Sequence, residues 1–445
     1  MPKITHRKKR LSSFKLIVLG FAGVIVLGAL ILMLPFSSTA GVVTPFHEAL
    51  FTSTSAVCVT GLVVQDTGSY WSPFGQAIIL LLIQIGGLGV VTVAAFVAML
   101  SGRKISLMQR STMQDAISAP KVGGIVRLTR FIVRGTFLIE LIGMIVMLPT
   151  FCGNYGIKGI WMAAFHSVSA FCNAGFDILG TAENKYPSLT GYIGNPAINI
   201  TIMLLIIVGG IGFLTWDDIY TNKWHFKKYR MQSKVILVTT AILIIAPAVF
   251  FFFCDFTGLP LAERILASLF QSVTPRTAGF NTADLSAMTG SSKAIMTLLM
   301  LVGGSPGSTA GGMKTTTLAV LIMSAFSVCR KKDDAEVCGR RIDGSAVKNA
   351  AAVAVMYFLL FFVGGIVIST AEGLPLSTCL YETASAVGTV GLTLGITPQL
   401  GVLSQLILIV LMYLGRVGGL TLIYAAVSNK NHSGAKLPLE KITVG

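Results

Sequence analysis

The chain has 445 residues, 53% hydrophobic and 12% charged, with a formal net charge of +16. A soluble protein of this length carries roughly a quarter charged residues, so the composition excludes an ordinary globular fold and points to one embedded in lipid. The positive excess invites a nucleic-acid reading, but 27 of the 34 Lys and Arg fall into five short polar segments, 1–15, 101–134, 217–234, 329–348 and 428–445. Positive charge flanking apolar stretches marks cytoplasmic loops, so no nucleic-acid partner is implied. Seven scattered cysteines without a CxxC pair argue against a disulfide framework or zinc site.

In chain order, the stretch 14–34 follows a basic run as a signal peptide does, but its length favours a retained first span. A short apolar segment, 45–62, begins at Pro45 and ends on Gly61-Leu62, and a span-length stretch, 77–100, follows. The same order recurs three times. After 101–134 come a span, a short segment at 160–176 and a stretch carrying Val208-Gly209-Gly210-Ile211-Gly212. After 217–234 come 235–253, a short segment at 262–280 behind Pro260, and a stretch carrying Val302-Gly303-Gly304-Ser305. After 329–348 come 350–368, a short segment at 376–392 behind Pro375, and a stretch carrying Leu414-Gly415-Arg416-Val417-Gly418.

If all three apolar segments in each interval crossed the bilayer, successive basic segments would alternate sides. All five are basic, so each interval crosses an even number of times and one segment re-enters on its own side. The middle segments are the candidates, because a helix of about 11 residues is about 16 Å long, too short for a ~30 Å hydrocarbon core. Aligned, they read Phe51-TSTSAVCVT-Gly61-Leu62, Phe165-HSVSAFCNA-Gly175-Phe176, Phe270-QSVTPRTA-Gly279-Phe280 and Tyr381-ETASAVGTV-Gly391-Leu392. The loop glycines recur at intervals of 114, 104 and 112 residues, and the second glycine signature follows each one, beginning in the first repeat with Ile85-Gly86-Gly87-Leu88-Gly89. The expected fold is therefore an all-α membrane protein. It has four pseudo-symmetric repeats of helix, re-entrant pore loop and helix, with eight spans and four pore helices around a central ion pore. The repeats occupy 1–100, 101–216, 217–328 and 329–427, and a cytoplasmic tail occupies 428–445.

Four short helices aimed at a common axis direct their negative C-terminal ends at the membrane centre, where a cation is stabilised. The extended backbone beyond them can replace an ion's water shell with carbonyl oxygens, and glycine permits the dihedrals that this needs. The second helix of the third repeat is interrupted by Gly303-Gly304-Ser305-Pro306-Gly307-Ser308-Thr309-Ala310-Gly311-Gly312, which no helix survives. Such a break at membrane depth is tolerated only inside protein or along a watery cavity. Arg416 is a charge in mid-span, so it faces a cavity or pairs with a buried acid such as Glu382.

These loops, the Gly388-Thr389-Val390-Gly391 run, the segment Val273-Thr274-Pro275-Arg276-Thr277-Ala278-Gly279-Phe280 and the Gly415-Arg416 pair resemble the Trk/Ktr/HKT superfamily of potassium transporters. Within it the chain is most similar to the membrane subunits of Ktr systems, over nearly its whole length. The resemblance implies a potassium selectivity filter of backbone carbonyls at Val59, Thr60 and Gly61; Asn173, Ala174 and Gly175; Thr277, Ala278 and Gly279; and Thr389, Val390 and Gly391. It implies that the broken segment Gly303 to Gly312 is a gating loop beneath the filter, with Arg416 beside it. Arg276 is expected to brace the filter from behind.

The resemblance further implies a homodimer with one pore per subunit, an RCK-type nucleotide-binding regulatory ring on the cytosolic face, and sodium as an activator. Potassium is the transported ion, and no organic cofactor is implied. The chain is placed in the cell membrane as a multi-pass protein with both termini cytoplasmic. Two alternatives stand beside potassium uptake through a gated pore. One is a potassium/sodium symporter of fixed stoichiometry on the same fold. The other is an intramembrane hydrolase using Ser305, since Gly303-Gly304-Ser305-Pro306-Gly307 fits a nucleophile pattern without its strand-turn-helix context.

Overall fold

The computed structural model describes residues 12–101, 105–117, 123–419 and 421. The expected tail at 428–445 lies outside them. The first helix of each repeat is long and apolar: α1 Ser13–Leu32, α6 Ile125–Tyr155, α10 Met231–Cys254 and α14 Gly344–Glu372. These four are long and apolar enough to cross a membrane alone. Each packs on the short helix that follows it, α2 Phe46–Cys58, α7 Lys158–Phe171, α11 Leu261–Val273 and α15 Leu376–Gly388. Pro45, Pro260 and Pro375 sit at the N-caps of α2, α11 and α15, just before the first helical residue, where a missing N–H leaves nothing unsatisfied.

The short helices run 13 or 14 residues rather than about 11. Their middle turns are buried and carry hydroxyl and small residues instead of a lipid-facing apolar stripe. In α2 every residue from Phe51 to Cys58 is shielded from solvent.

The second helices differ from expectation. A break was expected only in the third repeat, but all four are interrupted at the second glycine signature. In the first repeat α3 Pro73–Leu88 and α4 Val90–Leu100 meet at 98° across Gly89, and in the second α8 Pro196–Gly210 and α9 Phe213–Asn222 meet at 98° across Gly212. Gly89, Gly212 and Gly418 have φ of 86°, 91° and 87°, a backbone region that costs other residues about 1–2 kcal/mol. In the third repeat α12 Gly290–Leu301 gives way to the loop, and the chain resumes as α13 Thr315–Cys329; in the fourth, α16 Val402–Val417 ends at Gly418. The region 77–100, expected as one straight span, is thus bent.

Each second helix also packs on the short helix of the next repeat: α3 on α7, α8 on α11, α12 on α15, and α16 on α2. The last contact returns α16 to α2, so these helix contacts close a ring in chain order. Between α4 and α6 lies α5 Leu107–Ile117. The polar segment after α13 is not purely helical. It forms a hairpin of β1 Glu336–Val337 and β2 Arg340–Arg341, with Glu336 opposite Arg341 and Val337 opposite Arg340. Ala335, Val337 and Ile342 seat it against side chains of α10, α13 and α14.

Candidate functional site

The four short helices converge on the four loop glycines. Each helix is followed by a residue in the left-handed region, Val59, Asn173, Thr277 or Thr389, with φ of 58°, 59°, 65° and 53°. Two residues on, Gly61, Gly175, Gly279 and Gly391 again have positive φ, between 70° and 95°. A β-branched residue in the left-handed region is a true outlier. Three of these four are β-branched, so the strain is imposed by surrounding structure, as it is at functional sites.

The turns are held from behind by hydroxyls. The amide N–H groups of Gly61 and Gly391 donate to Ser55 Oγ and Ser385 Oγ, both at 3.0 Å. In the other two repeats the hydroxyl works the other way: Ser169 Oγ donates to Phe176 O at 2.7 Å and Thr274 Oγ1 donates to Phe280 O. The amides of Thr60, Ala174 and Val390 each donate to the carbonyl of the same serine at 2.8 Å, and Ala278 donates to Thr274 O at 3.0 Å. These four hydroxyl residues were overlooked in the sequence, although the aligned loops show Ser, Ser, Thr and Ser just upstream of each glycine.

The glycines contact one another around the ring. A Cβ on Gly61 would strike Ala174 O, on Gly175 Ala278 O, on Gly279 Val390 O and on Gly391 Thr60 O, all well inside the 3.0 Å that real Cβ atoms need. Each clash is with the carbonyl immediately before the next repeat's glycine. The expected filter residues of four distant stretches are thus brought together, with three different pre-glycine side chains tolerated because the constraint falls on the backbone.

A cavity of about 230 Å³ lies against one side of this ring and is lined by all four glycines together with Asp66 and Asp177. Asp66 is fixed by the N–H groups of Ser69 at 2.8 Å and Tyr186 at 2.9 Å and by Ser69 Oγ at 2.7 Å. Burial, and then the nearby Asp66 carboxylate, push the Asp177 carboxyl up to about 7. Neither aspartate was picked out from the sequence, because both lie in connecting loops that carry no repeat signature.

The broken segment of the third repeat lies against the inner ends of the same turns. Thr309 Oγ1 donates to Phe171 O at 3.2 Å and meets Asn173 Oδ1 at 3.0 Å, while Asn173 Nδ2 donates to Arg276 O at 3.2 Å. A Cβ on Gly311 would strike the side chain of Thr389, and one on Gly312 the Gly388 carbonyl. The loop is also tied to the second repeat, with Ser305 N donating to Gly210 O at 2.9 Å, Thr309 N to Gly209 O at 3.2 Å, and Phe213 N to Gly307 O at 2.7 Å. Gly303 N closes its base on Met313 O at 2.7 Å.

Arg416 reaches across from the fourth repeat. Its Nη1 donates to Thr309 O and its Nη2 to Gly86 O, with Gly87 O at 3.3 Å. The candidate partner Glu382 is engaged elsewhere, accepting from Thr393 Oγ1, from Leu394 N at 3.1 Å and from Thr397 Oγ1 at 2.9 Å. No carboxylate pairs with Arg416 among the described residues. Lys314 stands beside it, donating to Ala310 O at 2.8 Å and Gly311 O at 3.3 Å. Both cations, Gly87, Pro306 and Gly312 line a second cavity of about 310 Å³.

Arg276 is 5% exposed, its Nε has no hydrogen-bond partner among the described residues, and its carbonyl accepts from Asn173. Ser305 Oγ lies 3.1 Å from Thr315 Oγ1.

A ring of strained turns at the ends of four converging helices, in a protein of long apolar helices, defines a membrane protein that handles cations. The sequence matches the TrkH family of cation transport proteins over residues 14–433, and the chain belongs to that family. It is 39% identical to the potassium/sodium uptake protein NtpJ of Enterococcus hirae, covering 98% of both chains. It is 37% identical to the Ktr system potassium uptake protein B of Bacillus subtilis, covering 92% of both, and 33% identical to the protein of that name from Vibrio alginolyticus. The crystal structure of the potassium transporter TrkH from Vibrio parahaemolyticus superposes with a TM-score of 0.74 over 96% of this chain and 87% of its own, at 19% identity. That likeness concerns the fold.

Proposed function

We propose that the chain takes up potassium across the cell membrane through a filter formed by the glycine ring. The observation that carries the reading is the cyclic arrangement of Gly61, Gly175, Gly279 and Gly391, each packed on the carbonyl before the next. Backbone oxygens so placed substitute for the water shell of a desolvated cation, and the aspartate-lined cavity outside concentrates cations at the mouth. In this reading Val59, Thr60, Asn173, Ala174, Thr277, Ala278, Thr389 and Val390 supply the remaining filter backbone. The segment from Gly303 to Gly312 is the gate, latched by Arg416 and Lys314. The middle segments are re-entrant, the four repeats surround the pore, and both termini are cytoplasmic.

The similar proteins support the choice of ion: two are potassium uptake proteins of Ktr systems, and one is a potassium/sodium uptake protein. On this basis potassium is the cargo and sodium an activator, with no organic cofactor bound by the chain itself. The membrane subunit works as a homodimer with a cytosolic RCK-type nucleotide-binding ring on its basic face. Reversal potentials in proteoliposomes under opposed potassium and sodium gradients test the reading. Potassium preference that collapses in Gly175→Ser is the expected result. Flux at a fixed potassium-to-sodium ratio would instead establish symport, and unchanged selectivity in the mutant would remove the filter assignment.

A further inference from the structure

α6 has 31 residues and is about 46 Å long, against ~30 Å of hydrocarbon, so about ten of its residues stand outside the lipid core. Arg127, Arg130 and Arg134 put that surplus at its start, because a charge is costly in lipid. Their spacing sets all three on one face of the helix, and all three are exposed. Phe131 sits in the same stripe, and its ring packs on that of Tyr220 in α9, with 5.4 Å between centroids. One turn further on, a Cβ at Gly135 would come 3.3 Å from the ring of Trp216, so α6 and α9 are seated closely together.

Because α9 meets α8 at 98°, it turns across the end of that helix instead of continuing it. Beyond α9 the chain passes through Lys223, Trp224 and His225 into a 3-10 turn, Phe226–Lys228, and then into α10. Tyr229 Oη donates to Lys223 O, and Lys234 Nζ donates to Lys227 O at 2.8 Å, which fixes the shape of this connection. It presents aromatic rings to the outside: Trp224 is 97% exposed, Tyr220 73% and Phe226 45%. Lys223, Lys227 and Lys228 are exposed beside them. The nearby acids are already engaged, since Arg230 pairs with Asp217 at 3.0 Å and Asp218 at 3.3 Å. Among the described residues no carboxylate pairs with these three lysines or with the three arginines of α6.

We infer that this surface binds the headgroups of anionic phospholipids, with Trp224 and Phe226 seated where headgroups meet acyl chains. Rings with an apolar body gather in that layer, and Trp does so most readily because its N–H keeps a polar partner there. The six unpaired cations supply the selectivity. Each Lys or Arg held near an anionic leaflet strengthens binding about fivefold, and a guanidinium grips a phosphate through two parallel hydrogen bonds. A zwitterionic lipid carries its own ammonium and gains little from the same charges. The cluster is continuous with the end of a helix that leaves the bilayer, so headgroups are within its reach without any soluble partner.

The test places the full chain in phosphatidylcholine nanodiscs and reads the emission of Trp224 as the difference between wild type and Trp224→Phe. Phosphatidylglycerol or phosphatidylcholine, brominated near the headgroup end of its acyl chains, is titrated in as quencher. The anionic quencher should act at a mole fraction about tenfold lower than the zwitterionic one. Replacing Arg127→Gln, Arg130→Gln and Arg134→Gln together should remove most of that preference. Salt at about 1 M, which shortens the Debye length to ~3 Å, should do the same in the wild type and decides the matter if the triple variant fails to fold. Equal quenching by the two lipids, or a preference that survives the substitutions or the salt, would overturn the inference. Trp224 open to aqueous acrylamide and untouched by either lipid would give the surface to a soluble partner and overturn it as well.

Discussion

Gly391 abuts the carbonyl of Thr60, a residue 331 positions earlier in the chain, with no room for a Cβ between them. That contact joins the last repeat to the first, and with φ at 95° the glycine is also held where other residues are strained. Substituting Gly391→Ser adds an atom against the Thr60 oxygen and a dihedral penalty of about 1–2 kcal/mol. Potassium preference over sodium should fall by more than the amount of folded protein does. Potassium affinity and selectivity equal to wild type would show that this contact is packing alone.

In the proposed reading Arg416 is both a charge near the ion path and a latch on the loop. A charge about 8 Å from a cation opposes it by roughly 2 kcal/mol at an effective dielectric near 20. Its guanidinium also bridges Thr309 O and Gly86 O, which a single ammonium cannot do in the same geometry. Arg416→Gln should therefore raise maximal potassium flux severalfold, leaving apparent affinity at the outer side nearly unchanged. Arg416→Lys separates the two effects: raised flux identifies the latch, and wild-type flux identifies the charge. A melting temperature and flux that fall together in Arg416→Gln would mean the residue is structural.

Deleting residues 304–311 removes the groups that contact Asn173 and Thr389 beneath the turns. Flux should rise and become largely independent of a cytosolic regulator. The deletion also frees Gly209 O and Gly210 O, so a loss of stability of about 1 kcal/mol per hydrogen bond should accompany the gain. A deletion protein that folds and transports less than wild type would make the segment scaffolding.

The Asp177 carboxyl, raised to about 7, predicts a pH response. It is mostly protonated at pH 6 and mostly charged at pH 8, so the cavity outside the ring gains negative charge as pH rises. Apparent potassium affinity should improve about threefold across that interval, the worth of one partly screened charge several ångströms away. Asp177→Asn should flatten the profile at its low-pH level. A pH dependence that survives this substitution would place the titrating group elsewhere.

The helical, membrane-type fold was legible in the long apolar stretches, and the aligned loop glycines were legible as a recurring marker whose four positions the chain brings together. The broken helix of the third repeat was legible because Pro306 and five glycines forbid a helix outright. The bends at Gly89 and Gly212 were not, since each depends on one glycine's dihedral inside an apolar run that satisfies every criterion for a span. Arg416 was conspicuous, but its partners were not. Carbonyl oxygens leave no residue-type signature, and Glu382, the acid named as an alternative partner, is engaged by Thr393, Leu394 and Thr397. Ser55, Ser169, Thr274 and Ser385 recur at one place in the aligned loops, but small hydroxyl residues are common in buried helices, so their hold on the turns shows only in the hydrogen bonds.

The closed ring of glycines is written in one gene-length stretch rather than assembled from identical copies. In a symmetric tetramer every substitution near the axis arrives four times at once, so small adjustments are hard to make. Here Val59, Asn173, Thr277 and Thr389 occupy equivalent places with different side chains, and each can vary while the other three hold the geometry. The four stretches also differ in what they carry: the third holds the segment from Gly303 to Gly312, and the fourth holds Arg416. A protein built this way can be tuned one quarter at a time.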